Sequence, residues 1–181
     1  MNIKVKQLTL LATAGFLLAA CGQGKKEETT VATTTQETTA TPTTVYSLED
    51  AQKAVFETVS VSGKDTVTLY YKDDVLLKQE VVTKFIVSKM EEKNPLELLK
   101  KTAQKTQEKM KDFIGKGVEI KTDYKDDIFT FAYSFDYTKL DMQKLKESIS
   151  NLNLRDDNTI SYSDYKDSLV QQGYKEKQTT A

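Results

Sequence analysis

Residues 128–137 place Phe129, Phe131, Tyr133, Phe135 and Tyr137 at every second position. A period of two puts all five rings on one face of a β-strand, whereas a helix would scatter them around its axis. A strand with one fully aromatic face must have that face covered, so the chain has to supply an apolar layer above it. Whatever else it does, this sequence must build a sheet with a lid.

Neighbouring segments repeat the pattern. Residues 118–124 alternate, with Val118, Ile120, Thr122 and Tyr124 set inward and Glu119, Lys121 and Asp123 outward. Residues 75–87 form a long strand carrying Val75, Leu77, Val81, Phe85 and Val87 on one side against Lys78, Glu80 and Lys84 on the other. Residues 54–60 and 66–71 read as two more strands, joined through Gly63 and Lys64. The lid comes from period-3.6 segments. Asn94 is placed to cap and Pro95 to open a helix whose stripe is Leu96, Leu99, Ala103, Thr106, Met110 and Phe113, stopped by Gly115 and Gly117. A second helix near Asp141 carries Met142, Leu145, Ile149 and Leu152. A third, capped by Ser163, runs over residues 164–172 to Gly173. Strands joined by short turns pair antiparallel. The expectation is an α+β domain: one antiparallel sheet of about five strands with two or three helices on one face.

The first 45 residues follow other rules. Lys4 and Lys6 precede an apolar run, residues 8–18, which at about eleven residues is too short to span a bilayer and fits a signal-peptide core. The run closes Leu18-Ala19-Ala20-Cys21, and Cys21 is the chain's single cysteine. This resembles the bacterial lipobox. The resemblance implies cleavage between Ala20 and Cys21, a diacylglyceryl group on the Cys21 sulfur and often an N-acyl chain. Acyl chains anchor because each buried methylene contributes about 0.8 kcal/mol. Residues 22–45 hold ten threonines and almost nothing apolar. Such a segment buries too little surface to offset its ordering entropy, and as a flexible coil it reaches about 25–30 Å. The expected organisation is a signal peptide at 1–20, a lipidated start and spacer at 21–45, and one domain at 46–181.

Tyr71-Lys72-Asp73-Asp74-Val75 recurs as Tyr124-Lys125-Asp126-Asp127-Ile128, 53 residues on. Duplication and convergent turn chemistry both account for the echo. With the Leu-Ala-Ala-Cys start, the intervening Lys-rich helix and the closing Leu169-Val170-Gln171-Gln172-Gly173-Tyr174, these hairpins resemble the YehR-like family of small bacterial lipoproteins. The resemblance spans residues 64–178. It implies a single-domain lipoprotein and brings no catalytic residue, because that family has no assigned activity.

Composition narrows the chemistry. The 181 residues include no His and no Trp, so neither a Ser-His-Asp nor a Cys-His pair can form, nor a Cys/His zinc site. A net charge of −1, from 26 basic and 27 acidic residues, gives no field for nucleic acid. Asp73-Asp74 and Asp126-Asp127 offer at most two or three oxygens to a calcium ion that takes six to eight, and Asp156-Asp157-Asn158 lacks the Gly and distal Glu of a calcium loop. A glycosidase needs two carboxyl groups about 5–9.5 Å apart, for which Glu80, Asp123 and Asp136 are the candidates on the polar sheet face. The aromatic row reads as core rather than a stacking platform. Lys100, Lys101, Lys105, Lys109 and Lys111 read as a solvated helix face, offset by Glu97, Glu108 and Asp112. No cofactor, no metal and no catalytic residue are expected. The reading is a lipid-anchored, extracytoplasmic binding module at the cell membrane, its partner a protein, glycan or small molecule. A solute-capturing accessory lipoprotein of a transporter and a carboxylate-based cell-wall enzyme stay open beside it.

Overall fold

A computed structural model describes residues 46–149 and 151–177. The signal segment, the cleavage point at Ala20, Cys21 and the spacer lie outside the described residues. Among the described residues no helix is long and apolar enough to cross a membrane.

Six strands form one antiparallel sheet: β1 (Gln52–Ser60), β2 (Gly63–Lys72), β3 (Val75–Ile86), β4 (Val118–Lys125), β5 (Ile128–Asp136) and β6 (Lys175–Lys177). Their spatial order is β4-β5-β3-β2-β1-β6. Helices α1 (Pro95–Met110), α2 (Met142–Ser148) and α3 (Tyr162–Gln171) complete the fold, with a 3₁₀ turn at Val87–Lys89. The α+β class holds, with one strand more than expected: β6, three exposed residues beyond Gly173, pairs with β1. Its polar Lys175-Glu176-Lys177 carries no alternation from which a strand is legible.

The aromatic row is core. Phe129, Phe131, Tyr133, Phe135 and Tyr137 are all buried, and from Phe131 to Tyr137 successive rings meet at 5.7–6.1 Å between centroids. Leu99, Ala103, Met110 and Phe113 cover them from α1 and its exit, Leu145 from α2, and Tyr165 and Leu169 from α3. The outer face of the sheet carries mostly half-buried and exposed residues, with no second layer over it among the described residues.

Four expectations need correction. Thr122 and Tyr124 keep inward parity but are exposed, because the helices stop short of the distal half of edge strand β4. A bulge between Tyr70 and Tyr71 resets the start of β3, so Leu76 joins the core between Val75 and Leu77, and all three are buried. Asn94 precedes α1 without a side-chain cap, leaving Pro95 to open the helix. Ser161, not Ser163, caps α3, accepting from the Asp164 N–H at 3.2 Å. Ser163 sits two residues further in, where a carboxylate from another hairpin takes its N–H.

That carboxylate explains the repeated motif. Asp73 and Asp74, and likewise Asp126 and Asp127, have φ between 48° and 64°, the two left-handed positions of a type I′ hairpin. In both turns the second Asp also pins a segment distant in sequence. The Asp74 carbonyl accepts from Tyr162 N–H, and its carboxylate from Ser163 N–H at 2.7 Å, Ser161 Oγ and Arg155. The Asp127 carbonyl accepts from Val87 N–H, and its carboxylate from Ser88 N–H and Oγ. These aspartates do more than solvate a turn. Burial pushes the Asp74 carboxyl up, but the Ser163 and Arg155 hydrogen bonds outweigh it and hold it low.

Candidate functional site

The described residues contain a cavity of about 470 Å³ at the sheet end where β3 begins and β5 finishes. Four separate segments build it. Val75, Leu76 and Leu77 supply one wall from the bulged start of β3, joined by Ile160, whose carbonyl accepts from Leu76 N–H, and Tyr137 and Met142 also line the cavity. The rim is polar: Thr138, Asp141, Gln143, Asp157, Asn158 and Thr159. Tyr46, the first described residue, also lines it. No single segment carries the signature of this site, and the sequence reading missed it.

The rim is held by its own hydrogen bonds. Asp141 caps α2, accepting from Lys144 N–H at 3.1 Å. Asp157 accepts from Thr159 N–H at 3.0 Å and from its hydroxyl at 2.6 Å, bonds that hold its carboxyl below the usual range. Gln143 donates its side-chain amide to Asn158, which adopts φ 64° in the turn. A general acid needs a carboxyl kept protonated near neutrality. Asp157 is shifted the opposite way, which suits it to orienting a ligand rather than to donating a proton.

Of the three carboxylates singled out from the sequence, Asp123 stands apart from Glu80 and Asp136. Glu80 lies opposite Ser134, and Asp136 opposite Lys78, near one end of the outer face; Asp123 lies opposite Thr130, six positions along β5 from Asp136. At about 3.4 Å per residue that separation is roughly 20 Å, twice the reach of a glycosidase pair. Glu80 is occupied by Lys78 at 2.6 Å and by the Tyr70 hydroxyl at 3.1 Å. Asp136 is occupied by Lys139 at 2.5 Å and by Thr138. Burial pushes Asp136 up, and those two partners more than reverse it. Among the described residues no three His, Cys, Asp or Glu side chains are grouped to hold a metal ion. Lys100, Lys101, Lys105 and Lys111 are exposed, as are Glu97, Glu108 and Asp112 on the same helix and its exit.

Behind the cavity the core contains polar groups at inward positions of the strands. Asp65, Gln79 and Thr83 are each at most 3% exposed. The Tyr137 hydroxyl donates to Gln79 Oε1 at 2.9 Å, and the Tyr174 hydroxyl to Asp65 Oδ2 at 3.2 Å. Asp65 stands opposite Thr83 in the β2–β3 ladder, yet Asp65 Oδ1 and Thr83 Oγ1 have no hydrogen-bond partner of good geometry. Burial pushes the Asp65 carboxyl up, and the neighbouring Thr83 and Tyr174 hydroxyls oppose only part of it. The signal was present in the sequence, as polar residues in apolar rows.

Comparison with known proteins places this architecture. No curated protein matches the chain. The solution structure of the Escherichia coli YehR protein matches with a TM-score of 0.54 at 24% identity, covering 73% of this chain and 94% of that one. A solution structure of a Streptococcus pneumoniae TIGR4 protein matches with a TM-score of 0.44 at 16% identity, covering 86% of this chain and all of that one. A family described as "Protein of unknown function (DUF1307)" matches residues 46–175. From the start of the described residues to the first residue of β6, the chain belongs to this YehR-like family of unassigned function.

Proposed function

We propose that this protein is a non-catalytic binding module, tethered by lipid on Cys21 to the outer face of the bacterial cell membrane, that holds a small amphipathic solute in its end cavity. The cavity carries the proposal. Its volume lies within the range of small-molecule sites, and it joins an apolar wall to a few polar groups that fix orientation. Two carboxylates and no Lys or Arg line it, which favours a neutral or cationic ligand over an anion. The carboxylates are already engaged in capping and turn bonds, which supports binding over acid–base chemistry. Tyr46 lines the cavity, so a tether from Cys21 would join the domain at the cavity end. A solute handed to or from a membrane transporter is the related alternative, served by the same cavity.

The test is an NMR titration of the full chain with a panel of small amines, amino alcohols and neutral amphiphiles. Saturable shifts are expected at the amides of Leu77, Met142 and Ile160, and their loss in Met142→Trp, which fills the void. Non-saturating shifts for the whole panel, or shifts confined to the outer sheet face, would overturn the assignment.

A further inference from the structure

The β4 edge bears a charge pattern that is complementary to itself. β4 is an outermost strand, with β5 on one side and its other hydrogen-bonding edge facing away from the sheet. Lys125 and Ile128 flank the two-residue turn, and such a flanking pair exchanges its N–H and C=O groups. Odd-numbered residues of β4 therefore bond to β5, and even-numbered residues direct their backbone groups outward. The chain confirms this parity at the strand's start: Val118 bonds off the sheet, with Phe113 and Gly115, while the Gly117 carbonyl accepts from Asp136. Ile120, Thr122 and Tyr124 are left with outward donors and acceptors along an exposed edge.

Unprotected edges are usually blunted by charge, and here the charges alternate in sign: Glu119, Lys121, Asp123 and Lys125 on the outer face. An antiparallel copy centred on Thr122 sets Glu119 opposite Lys125 and Lys121 opposite Asp123, each pair occurring twice. On the inner face it sets Ile120 against Tyr124 and Thr122 against itself. Every charged pair is then attractive. Sliding the copy two residues one way sets Lys121 on Lys121 and Glu119 on Asp123. Sliding it two the other way sets Asp123 on Asp123 and Lys121 on Lys125. Like charges directly opposite destabilise a ladder about as much as opposite charges support it. A slide of four restores attraction but leaves at most five residues of β4 paired. The centred register also uses each outward group, giving about six new N–H···O bonds from Ile120, Thr122, Tyr124 and their copies. The inner face has room for it, because Thr122 and Tyr124 stand clear of the helices, with Tyr124 44% exposed and Ile114 beside the strand's start 43% exposed.

We propose that β4 is a homodimerisation edge, where a second copy of this chain adds antiparallel about Thr122 to give one continuous twelve-stranded sheet with all helices on one face. A two-fold axis perpendicular to the sheet generates this contact and closes it, so it builds dimers and not fibres. The interface lies along the side of the sheet and does not depend on what the cavity holds.

Cysteine scanning of the full chain in detergent micelles, in a Cys21→Ser background, tests both the contact and its register. Directly opposite residues of a hydrogen-bonded pair have Cα atoms about 5.5 Å apart, within disulfide range. Mild oxidation should link Thr122→Cys into dimers and leave Lys121→Cys and Asp123→Cys monomeric. Lys121→Glu sets a like charge against Asp123 at two places and should lower the Thr122→Cys dimer yield about tenfold, while the swap Lys121→Asp with Asp123→Lys should restore it. Circular dichroism of each variant confirms that the fold is intact. Equal cross-linking at all three positions, no cross-linking at Thr122→Cys, or a charge swap that fails to rescue a folded variant would each overturn the proposal.

Discussion

Asp65 is the residue whose environment fits its chemistry least. Its neighbours across the ladder and on the closing segment are Thr83 and Tyr174, hydroxyls that stabilise a carboxylate far less than a cation does. Because its folded-state carboxyl titrates above the unfolded value, its contribution to stability is fully present below about pH 4 and is lost as pH rises through the raised value. Asp74, Asp136 and Asp157 are held low and act in the opposite sense, their contributions being lost as pH falls below about 4. Urea unfolding from about pH 4 upward therefore isolates Asp65. The wild type should lose stability across that window. Asp65→Asn keeps an acceptor for Tyr174 and offers a donor toward Thr83, so it should remove the slope and gain about 1–3 kcal/mol at pH 8. A wild-type profile that is flat across the window would refute the assignment.

At the scale of elements, the two Asp-Asp hairpins are fasteners as well as turns. The first Asp of each supplies only a left-handed residue, which Gly adopts at no steric cost. The second also holds the backbone of a segment distant in sequence, as Asp74 does for the first turn of α3. Asp73→Gly should therefore change stability by no more than about 0.5 kcal/mol. Asp74→Gly keeps the favourable backbone but removes the acceptor for Ser163 N–H, at a cost of about 1–2 kcal/mol. Chemical denaturation of the two variants side by side checks the difference, and equal effects would leave Asp74 a turn residue only. The stack of Tyr71 on Tyr162, 3.5 Å between centroids, closes the same junction from the core side.

For the whole molecule the proposed anchor is the decisive variable, since it sets where the cavity and the β4 edge can act. Cys21→Ser removes the sulfur on which a thioether would form. The expected outcome in cell fractionation is loss of membrane partitioning and of the shorter, processed species. A Cys21→Ser protein still found with membranes in processed form would exclude lipidation as the means of attachment. In the proposed dimer the two-fold axis perpendicular to the sheet reverses the strand direction, so the two cavities lie at opposite strand ends.

The sequence by itself determined the strands of the two Asp-Asp hairpins, the α1 stripe and the burial of the aromatic row. Each rests on a periodicity or turn chemistry expressed within about ten residues: Phe129 to Tyr137 cannot share a face in any other way, and paired Asp residues between alternating runs make a tight turn. Only the tertiary structure decided that β5 lies beside β3, that β6 extends the sheet past β1, and that Thr122 and Tyr124 stand uncovered at the edge. Strand order and helix reach depend on how distant surfaces pack, and a polar three-residue strand is specified by the neighbour it pairs with. The cavity belongs to the same class. It is bounded by residues from position 46 to position 160, each ordinary in its own segment, and the bulged start of β3 and the turn at Asn158 border a space that no described side chain fills.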